Sequence, residues 1–90
     1  MAEGTHQADE ARRRRLRWRA RRGLLENDLV MARFFDRFEA SLSDADVAGL
    51  DRLLDLGDGE LLELILGHRE LQGEAATPQV QRVLAMLRSV

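Results

Sequence analysis

The side chains best suited to gripping another molecule lie close together, from Trp18 to Glu26, in the order Trp-Arg-Ala-Arg-Arg-Gly-Leu-Leu-Glu. Arg22 carries a planar fork of donors that can hold a carboxylate or carbonyl groups bidentately. Gly23 exposes backbone where a second chain can approach closely. Glu26 follows Arg22 by four residues, so it can pair with Arg22 and hold the fork in place. Alternatively, it can accept hydrogen bonds from a partner. Taken alone, the pattern also fits a helix stop beside a surface ion pair worth roughly 0–1 kcal/mol. Trp18 suits a helix–helix anchor and also an interface hot spot, a role in which Trp is over-represented.

The junction divides the chain electrically. Residues 1–22 hold eight arginines and three acids, a charge of +5, and residues 23–90 hold six arginines and thirteen acids, a charge of −7. Such asymmetry suggests a basic segment that meets something negative. One candidate is nucleic acid, with guanidinium groups on phosphates and Trp18 stacked on a base. A second is steering onto an acidic protein. The third is a solvated helix face. The acidic remainder opposes binding to DNA or RNA.

Other chemistry is sparse. The absence of Cys excludes disulfides, thiolate zinc sites and cysteine nucleophiles, and it fits a reducing cytosol. His6 and His68 are isolated, and His68 after Gly67 fits a cation at a helix end. Asp55, Asp58, Glu60 and Glu63 lack calcium-loop spacing and read as caps and solvated faces. No Gly-rich phosphate cradle and no nucleophile–base pair is apparent, so we expect no catalytic, metal or cofactor-binding residues. No apolar run approaches the roughly 20 residues of a membrane span, and no secretory signal is visible. A cytoplasmic protein is expected.

The rest of the chain must position that junction. Ninety residues suggest one small domain, burying only about 60% of the surface its unfolded chain exposes. Residues 1–8 read as a disordered tail. Residues 9–22 read as a helix with Leu16 and Ala20 on one face and Trp18 off it, stopped by Gly23. The second helix is expected from about Leu24 to Ala40, with Leu25, Leu29, Ala32, Phe35 and Phe38 as its apolar stripe. Of Phe34, Phe35 and Phe38, two should enter the core. Ser43 reads as an N-cap followed by Asp44 and Asp46, and Val47, Leu50, Leu53 and Leu54 form the third stripe. Asp58 reads as the cap of a fourth helix, with Leu61, Leu62, Leu64, Ile65 and Leu66 as a wide apolar face. Thr77-Pro78 starts the fifth, carrying Val80, Val83, Leu84 and Leu87. The prediction is an all-α fold: a compact, single-domain five-helix bundle.

With this order laid out, the chain resembles the SdhE family. These are FAD assembly factors, also called succinate dehydrogenase assembly factor 2 and formerly described in bacteria as antitoxins. The resemblance rests on Trp18, Arg21-Arg22-Gly23-Leu24-Leu25-Glu26, Asp28, Phe34-Phe35, Ser41-Leu42-Ser43-Asp44, Leu53-Leu54, Asp58 and Leu61. Family members often carry an aromatic residue where this chain has Leu64, and Pro where it has Gly59. The resemblance implies a helical flavinylation-factor-like domain over 9–90 that acts as a chaperone rather than an enzyme. It would bind the flavoprotein subunit of succinate dehydrogenase or fumarate reductase and promote covalent attachment of FAD to a histidine there, without retaining FAD. Arg22, Gly23 and Glu26 are the expected partner-binding residues, with Arg19, Arg21, Asp28 and Trp18 as neighbours. The free protein is expected to be a monomer. The alternative is a nucleic-acid-binding or antitoxin-type regulator using the Arg-rich helix.

Overall fold

The computed structural model describes residues 4–21 and 24–90. Among them are six helices: α1 (Gly4–Ala8), α2 (Glu10–Ala20), α3 (Leu25–Phe38), α4 (Asp44–Leu54), α5 (Asp58–Ile65) and α6 (Pro78–Arg88). Short 3₁₀ turns at Glu39–Ser41 and Gly73–Ala75 complete the elements, and no strand occurs among the described residues. The five expected helices are α2 to α6.

Their starts follow local chemistry. Asp9 caps α2 by accepting from the Arg12 N–H. Ser43 and Asp46 form a reciprocal capping box at α4, each side chain accepting from the other's backbone N–H. Thr77 accepts from the Val80 N–H, with Pro78 at the first helical position of α6. At α5 the cap is Gly57, and Asp58 is instead the first helical residue, where its charge suits the helix dipole.

α4 and α6 form the most extensive helix pair. Gly49 makes their approach possible. A Cβ built there would lie 3.0 Å from both the Gln79 carbonyl oxygen and Val83 Cγ2. One turn earlier the buried Asp46 carboxylate accepts from Gln79 Nε2 at 2.9 Å and Arg82 Nε at 3.0 Å, both on α6. Around this seam pack Leu50, Leu53, Leu54, Val83, Leu84 and Leu87, joined by Leu61, Leu64 and Ile65 of α5. Arg88 Nε donates to the Leu64 carbonyl at 2.8 Å and ties the end of α6 to α5.

Two further sequence expectations change. Residues 4–8 of the expected tail form α1, and His6 is only 2% exposed. The segment is short and polar, so its pattern hides this; its anchors are hydrogen bonds to distant groups. The His6 N–H donates to Asp44 Oδ1 at 2.8 Å, and Gln7 Nε2 donates to the carbonyls of Glu39 and Leu42. Arg13 in turn donates to the Gln7 carbonyl.

The second change concerns α3. Its buried face is Asn27, Met31, Phe34 and Phe35, whereas Leu25 is 68% and Leu29 52% exposed, and Ala32 also faces outward. The rings explain this choice. Phe34 packs edge-on against Phe35 at 5.3 Å and tilted against the half-buried Phe38 at 5.6 Å. Burying this aromatic group turns the row Leu25, Leu29, Ala32 away from the core.

Gly49→Leu should destabilise the protein by about 1–3 kcal/mol, the usual cost of overpacking. A chemical denaturation midpoint unchanged from wild type would show that α4 and α6 can separate freely. His6 yields a second expectation. Burial lowers its pKa below the ordinary 6.5; Arg12 and Arg13 lower it further, against Asp44 and Glu39. The unfolded chain therefore takes up this proton more readily, and stability falls as pH drops below about 6.5 toward the folded value. Urea midpoints at about pH 7.5 and 5.5 should differ more in wild type than in His6→Gln.

Candidate docking surface

The expected site sits where α2 ends and α3 begins. α2 closes on Arg21, whose extended backbone returns its N–H to the Trp18 carbonyl at 3.1 Å. α3 starts after Leu24, which offers no side-chain cap, and carries Glu26 and Asp28 in its first turn. Both acids lower the energy of the positive helix end whatever else they do. Arg22 and Gly23, the centre of the expected motif, lie outside the described residues.

The neighbours differ in their availability. Trp18 is 74% exposed and so anchors no helix pair; the Arg21 guanidinium lies over its ring at 5.7 Å. Arg21 and Glu26 are exposed and make no ion pair among the described residues. Asp28 is half-buried. Arg19 is otherwise engaged: its guanidinium bridges Asp51 and, at 2.6 Å, Asp55, fastening α2 to α4.

Asp28, Met31, Ala32 and Phe35 of α3, Arg17 of α2 and Arg21 at its C-terminal cap line a groove of about 310 Å³. Its floor is apolar, since Met31 and Phe35 belong to the core. Its rim is charged. Arg17 lies over the Phe35 ring at 5.1 Å and pairs with Glu39 at 2.9 Å. A larger groove of about 440 Å³ runs along α6 between Glu70 and Ser89, remote in sequence from this junction.

Asn27 is a positioning residue that the sequence reading missed. It is fully buried in the first turn of α3 and donates from Nδ2 to the Asp58 carbonyl at 3.0 Å. This bond fixes the start of α3 against the start of α5. A polar residue one helical turn before Met31 was the available signal, but it reads as a surface residue unless the aromatic face is located first.

Part of the basic segment is paired with the protein's own acids. Arg14 pairs with Glu10, Arg17 with Asp36 and Glu39, and Arg19 with Asp51 and Asp55. Arg12, Arg15 and Arg21 are exposed and have no carboxylate partner among the described residues. Groups of three or more acids, His or Cys able to hold a metal are absent among the described residues. No helix there is long and apolar enough to cross a membrane.

The fold is that of a small helical protein with an exposed Trp, exposed charges of both signs and an apolar-floored groove near the α2–α3 junction. Comparison with known proteins narrows the class. The family model described as flavinator of succinate dehydrogenase matches residues 14–90. The FAD assembly factor SdhE of Ralstonia nicotianae is 52% identical over 86 residues, covering 96% of this chain and 90% of that protein. Namesakes from Idiomarina loihiensis and Shewanella oneidensis are 32% and 35% identical, over 91% and 82% of this chain and 93% and 85% of their own lengths. No solved structure matches. The chain belongs to the flavinator of succinate dehydrogenase family, and it is an assembly factor rather than an enzyme.

Arg19→Ala tests the division of labour among the arginines. Both of its ion pairs are about half exposed, so the loss of stability should be no more than about 1 kcal/mol. Amide exchange should nevertheless rise selectively in α2. A variant with unchanged α2 protection would show that the bridge to Asp51 and Asp55 does not hold the helix.

Proposed function

We propose that this protein docks on the flavoprotein subunit of succinate dehydrogenase or fumarate reductase and promotes covalent attachment of FAD to that subunit. Docking uses Arg22, Gly23 and Glu26, with Trp18, Arg21 and Asp28 around them and Arg19 holding α2 in place. FAD is the partner's cargo, and the helper does not keep it. The setting is the cytoplasm, and the free helper is a monomer.

The observation that carries this reading is the exposure of Trp18, Arg21 and Glu26 at the α2–α3 junction, in a chain of this family. An exposed Trp beneath a guanidinium is a rigid amphipathic surface of the kind that anchors protein interfaces. The reaction class follows from the partner. Bond formation between a flavin and a side chain needs the two held at reactive distance, and a bound helper can favour that arrangement without supplying a reacting group.

Cells that carry only Glu26→Ala or Gly23→Arg should show a drop of about tenfold or more in covalent flavin on the partner. That is the loss expected when an interface anchor worth roughly 1.4 kcal/mol is removed. In-gel flavin fluorescence measures it directly. Full fluorescence from both variants would count decisively against the docking role. Trp18 supplies an independent readout as the sole Trp. Its emission should shift to the blue when the purified subunit is added.

A further inference from the structure

The face of α3 that the core rejects is itself apolar. Leu25, Leu29 and Ala32 recur at i, i+4 and i+7, so they share one line along the helix. All three are exposed. This row is continuous with the α2–α3 groove, because Ala32 belongs to both and Met31 and Phe35 floor the groove beside it. Scattered surface leucines need no account, but an aligned pair leading into an apolar-floored groove forms a contiguous patch.

The charges around the patch indicate what covers it. Arg21 on the groove rim and Arg33 beside Leu29 are exposed and have no carboxylate partner among the described residues. Glu26, at the same end of α3, is exposed and has no ion pair among the described residues. Asp28 lines the groove and Asp36 lies one turn beyond Ala32, but both have partners, so the exposed charges around the patch without an ion pair among the described residues are Arg21, Arg33 and Glu26, two cations to one acid. A partner with an apolar centre and a mainly acidic rim fits both features.

We propose that the flavoprotein subunit seats an apolar side-chain cluster, ringed by carboxylates, on Leu25, Leu29 and Ala32, with one of its side chains entering the α2–α3 groove. This rests on the docking role proposed above and adds an apolar half to a contact whose polar half is the Arg22–Glu26 junction. The row explains why α3 keeps leucines in water, and the small Ala32 keeps the groove open.

The test is calorimetric titration of the purified flavoprotein subunit with wild type, Leu29→Asp, Ala32→Phe and Glu26→Ala. Thermal melts of each variant serve as the fold control. Leu29→Asp and Ala32→Phe should each weaken binding by about tenfold or more, with melting unchanged because both positions face solvent. If Leu29→Asp binds as wild type while Glu26→Ala does not, the polar junction docks alone and the apolar contact is refuted. Unchanged or tighter binding by Ala32→Phe would remove the groove from the contact. A wild-type dimer that Leu29→Asp splits into monomers would make a second copy the occupant and overturn the assignment. Failure of wild type to bind the subunit at all would instead overturn the docking role itself.

Discussion

The buried carboxylate of Asp46 is the interaction on which the rest of the molecule depends. A charge taken out of water is tolerated only when it is paired and hydrogen-bonded. Asp46 meets that condition by closing the capping box with Ser43 and by receiving Gln79 and Arg82 from α6. Burial pushes its pKa upward, but the bonds from Ser43 and Arg82 prevail and hold it below the ordinary 3.8. The carboxylate therefore stays ionised, and its contribution is lost only as pH falls through that lowered value. Because the same residue starts α4 and clamps α6, helix formation and helix pairing are coupled at one point. Gly49, one turn on, lets the backbones close to the distance that the clamp sets.

From that seam, the other acids of α4 organise the N-terminal half. Asp44 receives the His6 N–H and so positions α1, while Asp51 and Asp55 hold Arg19 and so position α2. The contrast between a basic segment and an acidic remainder is thus met in part within the molecule, through Arg17 and Arg19. Each exposed pair is weak, but several along one helix define which face of α2 turns inward. The inward face is Leu16 and Ala20, and the outward face presents Trp18. Intramolecular charge pairing and presentation of the aromatic residue are consequences of the same rotation of α2.

What the sequence made legible was the set of features governed by adjacent residues. Ser43 and Thr77 act as caps, Val80, Val83, Leu84 and Leu87 are all buried, and the five long helices occur where periodicity puts them. α3 was harder because it carries two overlapping apolar lines. Leu25, Leu29 and Ala32 satisfy helical spacing as well as Met31, Phe34 and Phe38 do, and periodicity cannot rank them. Ring packing among Phe34, Phe35 and Phe38 decides the matter, and that depends on what α2, α5 and α6 place opposite. α1 was illegible for a similar reason, since its anchors lie more than thirty positions away in the chain. Near the α2–α3 junction, the division between exposed and engaged arginines was not legible either. Only the fold shows that Arg19 faces Asp51 and Asp55 whereas Arg21 lies over Trp18.

An assembly factor that acts by positioning must itself be firm where it touches its partner. On the docking role proposed above, α3 would meet this need from three sides. Its start is tied to α5 through Asn27 and the Asp58 carbonyl, its middle is packed by Met31 and Phe34, and its C-terminal part is covered by the guanidinium of Arg17 over Phe35. The side chains that face outward from such a helix lose little backbone freedom on binding, so more of their contact energy appears as affinity. Rigid secondary structure also places groups more accurately than a loop can. The exposed leucines of α3 are therefore compatible with the fold because the opposite face is so well anchored. The aromatic core gives α3 enough buried surface to leave its other apolar row in water, available for contact with a second protein.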